Sequence, residues 1–305
     1  MSTATRRTTK RPTISIVGSG RLGTALARAL FLSGYEVEAV VARRSARARR
    51  AAALLGRSTR PLAANQLHSL PASQIVFIST PDDDIEAIAT ELAATHKSPV
   101  RGRTVLHTSG ALSSSEVLKP LAAKGFHTGS LHPLVSVSDP LVGAGNLLSA
   151  FYCIEGDAAA SRAARLIVKD LKGNGFHIPS RLKPLYHAAA VMASGHMVAL
   201  FSLATEMLTY SGLDSKTARR VLLPLLESTV ANLAASDSAQ ALTGTFARGD
   251  LATVQRHLAA LSRKDLADAL AAYKLLGRRS LDLAQESLDP KTRREILRVL
   301  SPVKS

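Results

Sequence analysis

The sequence has very little cysteine and few aromatic residues. It contains one cysteine, Cys153, no tryptophan, and only 4% aromatic residues in total. A single cysteine excludes an intramolecular disulfide and any metal site built on clustered thiolates, and it is typical of a reducing compartment. Within the apolar run "AFYCI", Cys153 is predicted to be a small core residue. The histidines show neither H-E-x-x-H nor any other metal-ligand spacing, so we predict no metal site. The single cysteine leads us to predict a cytoplasmic protein.

Acidic residues are also scarce relative to basic ones. The chain has 39 Lys and Arg against 23 Asp and Glu, a formal net charge of +16. Such a charge is compatible with nucleic acid, an acidic membrane surface or anionic small molecules as partners. Few aromatic side chains are present to stack on bases, and there is no nucleic-acid motif, so nucleic acid is disfavoured. The segment 1–12, "MSTATRRTTKRP", lacks the apolar core of a secretory signal and is predicted to be a disordered basic tail.

One uncharged run is nearly long enough to cross a membrane. It extends from Leu185 to Thr205 and includes the polar residues His187 and His196. No second run of this kind is present to pair with it. We therefore interpret it as a helix buried inside a helical domain, and we predict no membrane contact.

The pattern of the chain changes near residue 182. Before this point, short β-rich runs from "TISIV" to "FHIP" alternate with helical patterns, and after it only helical patterns follow. Alternating strands and helices, with strands apolar on both faces, indicate an α/β fold with a doubly wound, mostly parallel sheet. We predict such a domain over residues 13–182 and an all-helical substrate and dimerisation domain over residues 183–305.

A glycine-rich loop joins the first strand to the first helix. Gly18, Gly20 and Gly23 have the G-x-G-x-x-G spacing in "TISIVGSGRLGTALARAL". In this context the glycines allow a tight turn, a close approach to a pyrophosphate and close packing of helix on strand. The alternative is a glycine-rich turn without a ligand. The predicted dinucleotide loop consists of Gly18, Ser19, Gly20, Arg21, Leu22 and Gly23.

The end of the second strand favours NADP over NAD. An NAD site has a carboxylate there, whereas this chain has Arg43, Arg44 and Ser45, which suit a 2′-phosphate. The alternative is a solvated helix face, which we favour for Arg47 and its neighbours. Thr80 and Pro81, which directly follow the strand "IVFIS", are predicted to border the nicotinamide. Asp82 to Asp84 are predicted to form the first turn of a helix.

Two further strand ends carry candidate catalytic residues. Ser109 follows "TVLHT", and His132 lies in "GSLHPLVS". Because the carboxyl ends of parallel strands meet at one edge, both are predicted to lie near one ligand. An imidazole titrates near neutrality, so His132 is the candidate acid/base and Ser109 is expected to orient it or the substrate. His107 is expected to be a core histidine.

The helical half supplies candidate substrate residues. At 100° per residue, Lys183, His187 and Ser194 share one stripe of a helix, whereas His196 faces away unless the helix bends. We predict a catalytic role for His187 and contacts of Lys183, Ser194, His196 and Arg248 with an anionic substrate. The alternatives are a helix start at the domain interface for Lys183 and His187, and a solvated Arg248 before an Asp250 helix cap.

Four stretches together resemble a known family. They are "VGSGRLGTAL", "LHTSGALSSSEVLKPLAAKGFHTGSLHPL", "LYHAAAVMAS" and "LTGTFARGDLATVQRHLAAL". The chain resembles uncharacterised Rossmann-like proteins that carry the domain of unknown function 2520. This resemblance implies a Rossmann domain, an all-helical domain of the 6-phosphogluconate-dehydrogenase type, a homodimer, and an NADP oxidoreductase activity.

A more distant likeness concerns the candidate catalytic residues. Ser109, the pair His132-Pro133 and the stretch Ser194-Gly195-His196 are similar to three sites of prephenate dehydrogenases. In those enzymes the histidine of the His-Pro pair polarises the hydroxyl that loses hydride. The likeness implies the same role for His132.

Two hypotheses of different classes follow. The first is an NADP-dependent oxidoreductase that moves hydride to or from a small carbonyl, imine or hydroxy substrate with an anionic group. The second is an NADP-binding sensor or scaffold without turnover, because a fold and a cofactor do not fix a function.

Overall fold

The computed structural model describes residues 11–301. The predicted basic tail lies outside the described residues except for Arg11, which forms an ion pair with Asp170 at 3.2 Å, and Pro12. The chain divides into two compact units, the first ending at Met192 and the second beginning at Ala193. Each unit is described by itself.

The first unit is built on a sheet of eight strands in the order β3-β2-β1-β4-β5-β6-β7-β8. All neighbouring pairs are parallel except β6 and β7, which are antiparallel. This arrangement confirms the predicted doubly wound, mostly parallel fold. The strands are β1 Ile14–Val17, β2 Val37–Ala42, β3 Arg60–Ala63, β4 Ile75–Ile78, β5 Thr104–His107, β6 His127–Pro133, β7 Phe151–Gly156 and β8 Asn174–Phe176.

Helices and two apolar clusters cover the sheet. Alternate strand residues enter opposite clusters, for example Phe77 on one face of β4 and Ile78 on the other. Strands buried on both faces therefore position their carboxyl ends rigidly. The helices of this unit are α1 Arg21–Leu32, α2 Ser45–Ala52, α3 Asp82–Ala94, α4 Ser114–Val117, α5 Lys119–Ala123, α6 Pro140–Asn146, α7 Ala158–Asp170 and α8 Lys183–Ala193, with 3₁₀ segments at Ala64–Ser69 and Ser180–Leu182.

The boundary between the units lies after α8, at Met192 rather than near residue 182. The cause is the first turn of α8, where Lys183 is fully buried and hydrogen-bonds to Ser130 of β6. This helix therefore completes the strand-rich unit instead of opening the helical one.

The second unit is helical, as predicted. Asp214 and Asp250 accept hydrogen bonds from the first turns of the helices they precede and so act as N-caps. Its helices are α9 Gly195–Tyr210, α10 Ser215–Ala235, α11 Ser238–Ala241, α12 Leu251–Leu261, α13 Ala267–Leu283 and α14 Pro290–Leu300, with a 3₁₀ segment at Lys264–Leu266.

The long apolar segment differs from its prediction. Within the described residues, the stretch Ser180–Tyr210 passes a test of length and composition for a membrane span, which alone is weak evidence. Ser194 breaks it into α8 and α9, with φ −124° and ψ −77°. The expectation of a buried helix is wrong for the single chain, since Thr205 is the only buried residue of α9.

Candidate functional site

The glycine-rich loop is shaped by backbone contacts that no side chain would permit. Gly18 has φ +107°, and a Cβ placed on it would lie 2.4 Å from the carbonyl oxygen of Ser79. A Cβ on Gly23 would lie 1.9 Å from the carbonyl oxygen of Gly18. The loop therefore brings the end of β1, the end of β4 and the start of α1 into direct backbone contact, as the motif predicts.

The N-terminus of α1 has no cap from the protein. Gly20 occupies the cap position, and no acidic residue lies in the first turn, so the N–H groups of Arg21, Leu22 and Gly23 have no intrahelical acceptor. The buried hydroxyl of Ser19 also has no hydrogen-bond partner in the structure. A Cβ on Gly20 would meet nothing within 4 Å. A pyrophosphate would satisfy all these donors, so the loop fits a dinucleotide.

A cavity of about 400 Å³ extends from this loop along the carboxyl ends of β1, β2 and β4. Arg43 and Arg47 line it, and Arg43 donates to Asp84 of α3 at 2.6 Å. Arg44 and Ser45 are exposed at the start of α2. Arg47 also lines an adjoining cavity with Arg21 and Arg50. Arg47 is exposed, as expected for a solvated helix face, and because it also borders both cavities it joins the candidate phosphate ligands.

Thr80 and Pro81 line the wall of the same cavity. The hydroxyl of Thr80 is buried and has no hydrogen-bond partner in the structure. An unsatisfied buried hydroxyl is costly unless a ligand completes it. Both residues therefore fit the border of a bound dinucleotide.

Ser109 has a different role from the one expected. Its hydroxyl donates to Asp82 at 2.8 Å and accepts from the backbone N–H groups of Ala111 and Leu112, both at 3.1 Å. These partners use the hydrogen-bonding capacity of a serine hydroxyl. Ser109 therefore organises the turn after β5 and links it to α3, and its hydroxyl does not orient His132.

A buried ionic cluster joins β6, β7 and α8. Lys183 donates to Ser130 at 2.7 Å and lies 3.5 Å from Glu155, with exposed side-chain fractions of 0% for the lysine and 5% for the glutamate. Glu155 also accepts from the backbone N–H and the hydroxyl of Ser114 and from the hydroxyls of Ser130 and Ser180. Lys183 is thus fully engaged inside the protein. The prediction that it binds a substrate anion is wrong, because its ammonium is enclosed and already paired.

Two imidazoles lie together beside this cluster. His132 at the end of β6 and His187 of α8 pack edge to face, with ring centroids 5.3 Å apart. A Cβ on Gly110 would lie 2.4 Å from Nδ1 of His187 and 2.9 Å from Nε2 of His132. Nδ1 of His187 is buried without a hydrogen-bond partner in the structure. The structure therefore brings together two of the predicted catalytic residues over the turn that follows β5.

The environment keeps His132 and the neighbouring His107 neutral. Burial, with smaller contributions from His187 and Lys183, lowers the pKa of His132 to about 4. Burial, then Lys183 and His132, lowers the pKa of His107 to about 3. The expectation that His132 titrates near neutrality is therefore wrong for the protein without ligands. His107 is buried, as expected, and its Nδ1 accepts from the N–H of Ser109.

The charge of Glu155 is stabilised despite its burial. Burial alone would raise the pKa of this carboxyl, but the N–H of Ser114, the ammonium of Lys183 and the hydroxyls of Ser114 and Ser180 together hold it below its ordinary value. Burial lowers the pKa of Lys183 from its ordinary value, and Glu155 opposes that shift. The ammonium of Lys183, with Glu155 as its counter-charge, therefore lies close enough to His107 and His132 to lower their pKa values further.

The remaining predicted substrate residues belong to the second unit. Ser194 lies at the break before α9, His196 lies in the first turn of α9, and Arg248 is exposed in the turn before α12. Their contacts with substrate stay a prediction.

Sequence reasoning missed four residues of this region: Asp84, Gly110, Glu155 and Tyr186. Asp84 was assigned only to a helix start, and no role was predicted for Glu155. The one available signal was the spacing of Lys183, Tyr186 and His187, which places all three on one face of a helix.

Two family models match the chain. A Rossmann-like domain matches residues 2–133, and the domain of unknown function DUF2520 matches residues 150–280. The chain thus combines a Rossmann-like domain with a DUF2520 domain, which confirms the resemblance found in the sequence. No curated protein matches the chain.

Solved structures share the fold over nearly the whole chain. A Bacteroides fragilis protein proposed as an NADP oxidoreductase is 20% identical, with a TM-score of 0.71 over 90% of this chain and 99% of that one. A Thermotoga maritima protein is 24% identical, with a TM-score of 0.68 over 90% and 99%. A reductive aminase from Aspergillus terreus, in complex with NADPH and ethyl levulinate, is 17% identical, with a TM-score of 0.63 over 93% and 98%. At these identities the likeness establishes the fold.

Proposed function

We propose that the protein is an NADP-dependent oxidoreductase that transfers hydride to or from a small carbonyl, imine or hydroxy compound. The carrying observation is the uncapped start of α1, with the unpartnered hydroxyls of Ser19 and Thr80 on the cavity beside it. A dinucleotide satisfies both features. The structural likeness to a reductive aminase with bound NADPH supports the same class.

Different residues of the chain bind different parts of the cofactor. The loop Gly18 to Gly23 holds the pyrophosphate, Arg43 and Arg47 hold the 2′-phosphate with Arg44 and Ser45 beside them, and Thr80 and Pro81 border the nicotinamide. A bound NADPH supplies the hydride. The guanidinium groups favour NADP over NAD because they form charge-assisted hydrogen bonds with a phosphate.

His132 contacts the reacting oxygen or nitrogen of the substrate. With a pKa of about 4, the imidazole is neutral at pH 7, so it acts as a hydrogen-bond donor to a carbonyl or imine, or as a proton acceptor for an alcohol. His187 lies beside it and provides a second imidazole for the same group. Neither role needs a protonated imidazole in the free protein.

The substrate class extends this proposal. Since Lys183 is enclosed, an anionic group on the substrate would be bound by other cations, and Arg248 is the exposed candidate of the second unit. Arg248→Ala should then raise KM for anionic substrates about tenfold and leave neutral ones unchanged. Equal effects on both would remove Arg248 from the substrate site.

Cofactor binding is tested with two glycine variants. In both Gly20→Ala and Gly145→Ala the new Cβ meets nothing within 4 Å, so both should fold normally. Gly20→Ala alone places a methyl group on the dinucleotide loop, and it should weaken NADPH binding at least about tenfold in a fluorescence titration. Equal NADPH affinity of the two variants would contradict the proposal.

The sensor hypothesis is separated from the enzyme by turnover. Wild type and His132→Ala are compared for NADPH binding and for NADPH oxidation with a panel of keto acids, ketones with amines, and cyclic imines. The enzyme proposal predicts equal binding and loss of turnover in the variant. Binding of NADPH without turnover of any panel member by wild type would favour the sensor.

A homodimer in the cytoplasm completes the proposal. Among the described residues of α9 and α10, only Thr205 and Ala218 are buried. The apolar side chains left exposed on these two helices are Val198, Leu200, Tyr210, Val221, Leu223, Leu225, Val230 and Leu233. Exposed apolar surface of this extent is typical of an interface. Sedimentation should give a dimer that Leu225→Asp and Val230→Asp weaken, and a monomer at every concentration would contradict it.

A further inference from the structure

The first turn of α8 contacts two neighbouring rows of the sheet, where a row is a pair of residues that face each other on β6 and β7. In the antiparallel register of β6 and β7, Ser130 faces Glu155 and His132 faces Cys153. Lys183 contacts the first row through Ser130 and Glu155. Tyr186, one helical turn later, contacts the second row.

Several contacts hold the side chain of Tyr186 against His132. Its hydroxyl lies 2.7 Å from Nδ1 of His132. Its ring packs edge to face on His132, with centroids 5.6 Å apart, and on Phe176, with centroids 5.8 Å apart. Cys153 also lies close enough to the hydroxyl to raise the pKa of Tyr186, although burial is the larger cause.

The chemistry of these neighbours favours one direction for the hydrogen bond between Tyr186 and His132. A phenol is a strong donor, and it has two candidate acceptors here: an imidazole nitrogen and a thiol sulfur, which is a weak acceptor. Burial raises the pKa of Cys153, so its side chain remains a thiol. This favours donation from the hydroxyl of Tyr186 to Nδ1 of His132, which leaves the single proton of the neutral ring on Nε2.

The protonated nitrogen points to a defined place. Nε2 of His132 and Nδ1 of His187 both lie within 3 Å of the position that a Cβ of Gly110 would take. The tautomer of His132 therefore decides whether a donor or an acceptor is presented over the turn after β5.

We propose that Tyr186 is a positioning residue that holds His132 as the Nε2–H tautomer. This rests on the proposed role of His132 in hydride transfer, but the tautomer itself is a property of the protein without cofactor. The hydroxyl of Tyr186 does for His132 what an orienting group does for a catalytic imidazole: it fixes both the ring and the site of its proton.

The test is a long-range ¹⁵N–¹H NMR spectrum of protein labelled at histidine nitrogens, with His132→Asn used to assign the signals. Wild type should show His132 neutral and protonated at Nε2 between pH 6 and 8. Tyr186→Phe removes the donor, and its His132 should become a mixture of both tautomers. Protonation of His132 at Nδ1 in wild type would overturn the proposal without any variant.

The matched control is Tyr35→Phe, which deletes another partly buried tyrosine hydroxyl, one bound to Asp170. It should leave the His132 signals unchanged. Where turnover is found, Tyr186→Phe should lower kcat about tenfold with an unchanged KM for NADPH. An unchanged tautomer in Tyr186→Phe would overturn the proposal, whereas absent NADPH binding would contradict only the proposed function.

Discussion

Two of the ion pairs in the first unit, Arg43–Asp84 and Lys183–Glu155, differ in what surrounds them. Arg43 and Asp84 are 2.6 Å apart, with exposed side-chain fractions of 78% and 38%. Lys183 and Glu155 are 3.5 Å apart, with exposed fractions of 0% and 5%. Water screens the first pair and is excluded from the second. The longer contact should therefore matter more for stability, and the shorter one remains free to exchange its partner for a ligand.

Breaking the buried pair should have the largest effect. Glu155→Gln leaves the ammonium of Lys183 enclosed without its counter-charge, and should lower the free energy of unfolding by about 3 kcal/mol in urea denaturation. The double variant with Lys183→Met removes both charges and should recover part of that loss. A Glu155→Gln protein as stable as wild type would show that the buried pair matters no more for stability than the exposed one.

The glycine beside the two imidazoles should come next. Gly110→Ala forces a methyl group against His187 and His132, and overpacking of this kind costs about 2 kcal/mol. Thermal unfolding measures the loss, with Gly145→Ala as the control in open space. If both variants melt at the wild-type temperature, the imidazoles do not converge on this turn.

The burial of His132 should also appear as a pH dependence of stability. The pKa of His132 is about 4 in the folded protein and about 6.5 when unfolded, so the unfolded chain binds the proton first as the pH falls. His132 therefore contributes its full stability above about pH 6.5, and that contribution is lost as the pH falls from there towards 4.

The loss should be about 1 to 2 kcal/mol, after allowance for partial exposure, and His132→Asn should remove it. Identical pH profiles for wild type and His132→Asn would show that His132 is not held neutral.

The exposed pair should give the smallest change in stability. Asp84→Asn should alter the free energy of unfolding by less than about 1 kcal/mol. It should, however, tighten NADPH binding a few-fold, because Arg43 no longer shares its charge with a carboxylate and the 2′-phosphate meets less repulsion. Asp83→Asn removes the same charge from the same helix turn and serves as the control. Equal NADPH affinities would mean that the pair does not border the cofactor.

Local signals in the sequence were sufficient for most strands of the sheet, though not for β3, and for the dinucleotide loop. The period of the strands, the spacing of Gly18, Gly20 and Gly23, and the caps at Asp214 and Asp250 are each defined by residues close in the chain. β3 was missed because "RPLA" contains a proline and lies at the sheet edge, where strand patterns are weak.

The contacts around His132 could not be read in this way. Tyr186 meets His132 across 54 residues, and Lys183 meets Glu155 across 28. Such pairs depend on the register of β6 with β7 and on where α8 packs, which periodicity does not specify. For the same reason, the sequence predicted that Lys183 contacts an anionic substrate, whereas the fold encloses it, and the hydrogen bond from Ser109 to Asp82 was missed.

Hydride transfer itself is tested most directly by an isotope label. NADPH carrying deuterium at C4 of the nicotinamide is incubated with the protein and the panel of carbonyl and imine compounds, and the products are analysed by mass spectrometry. Wild type should give one deuterium in the reduced product, and His132→Ala should transfer it at a rate at least about 100-fold lower. Tight NADPH binding with no deuterium transferred to any panel compound would contradict it.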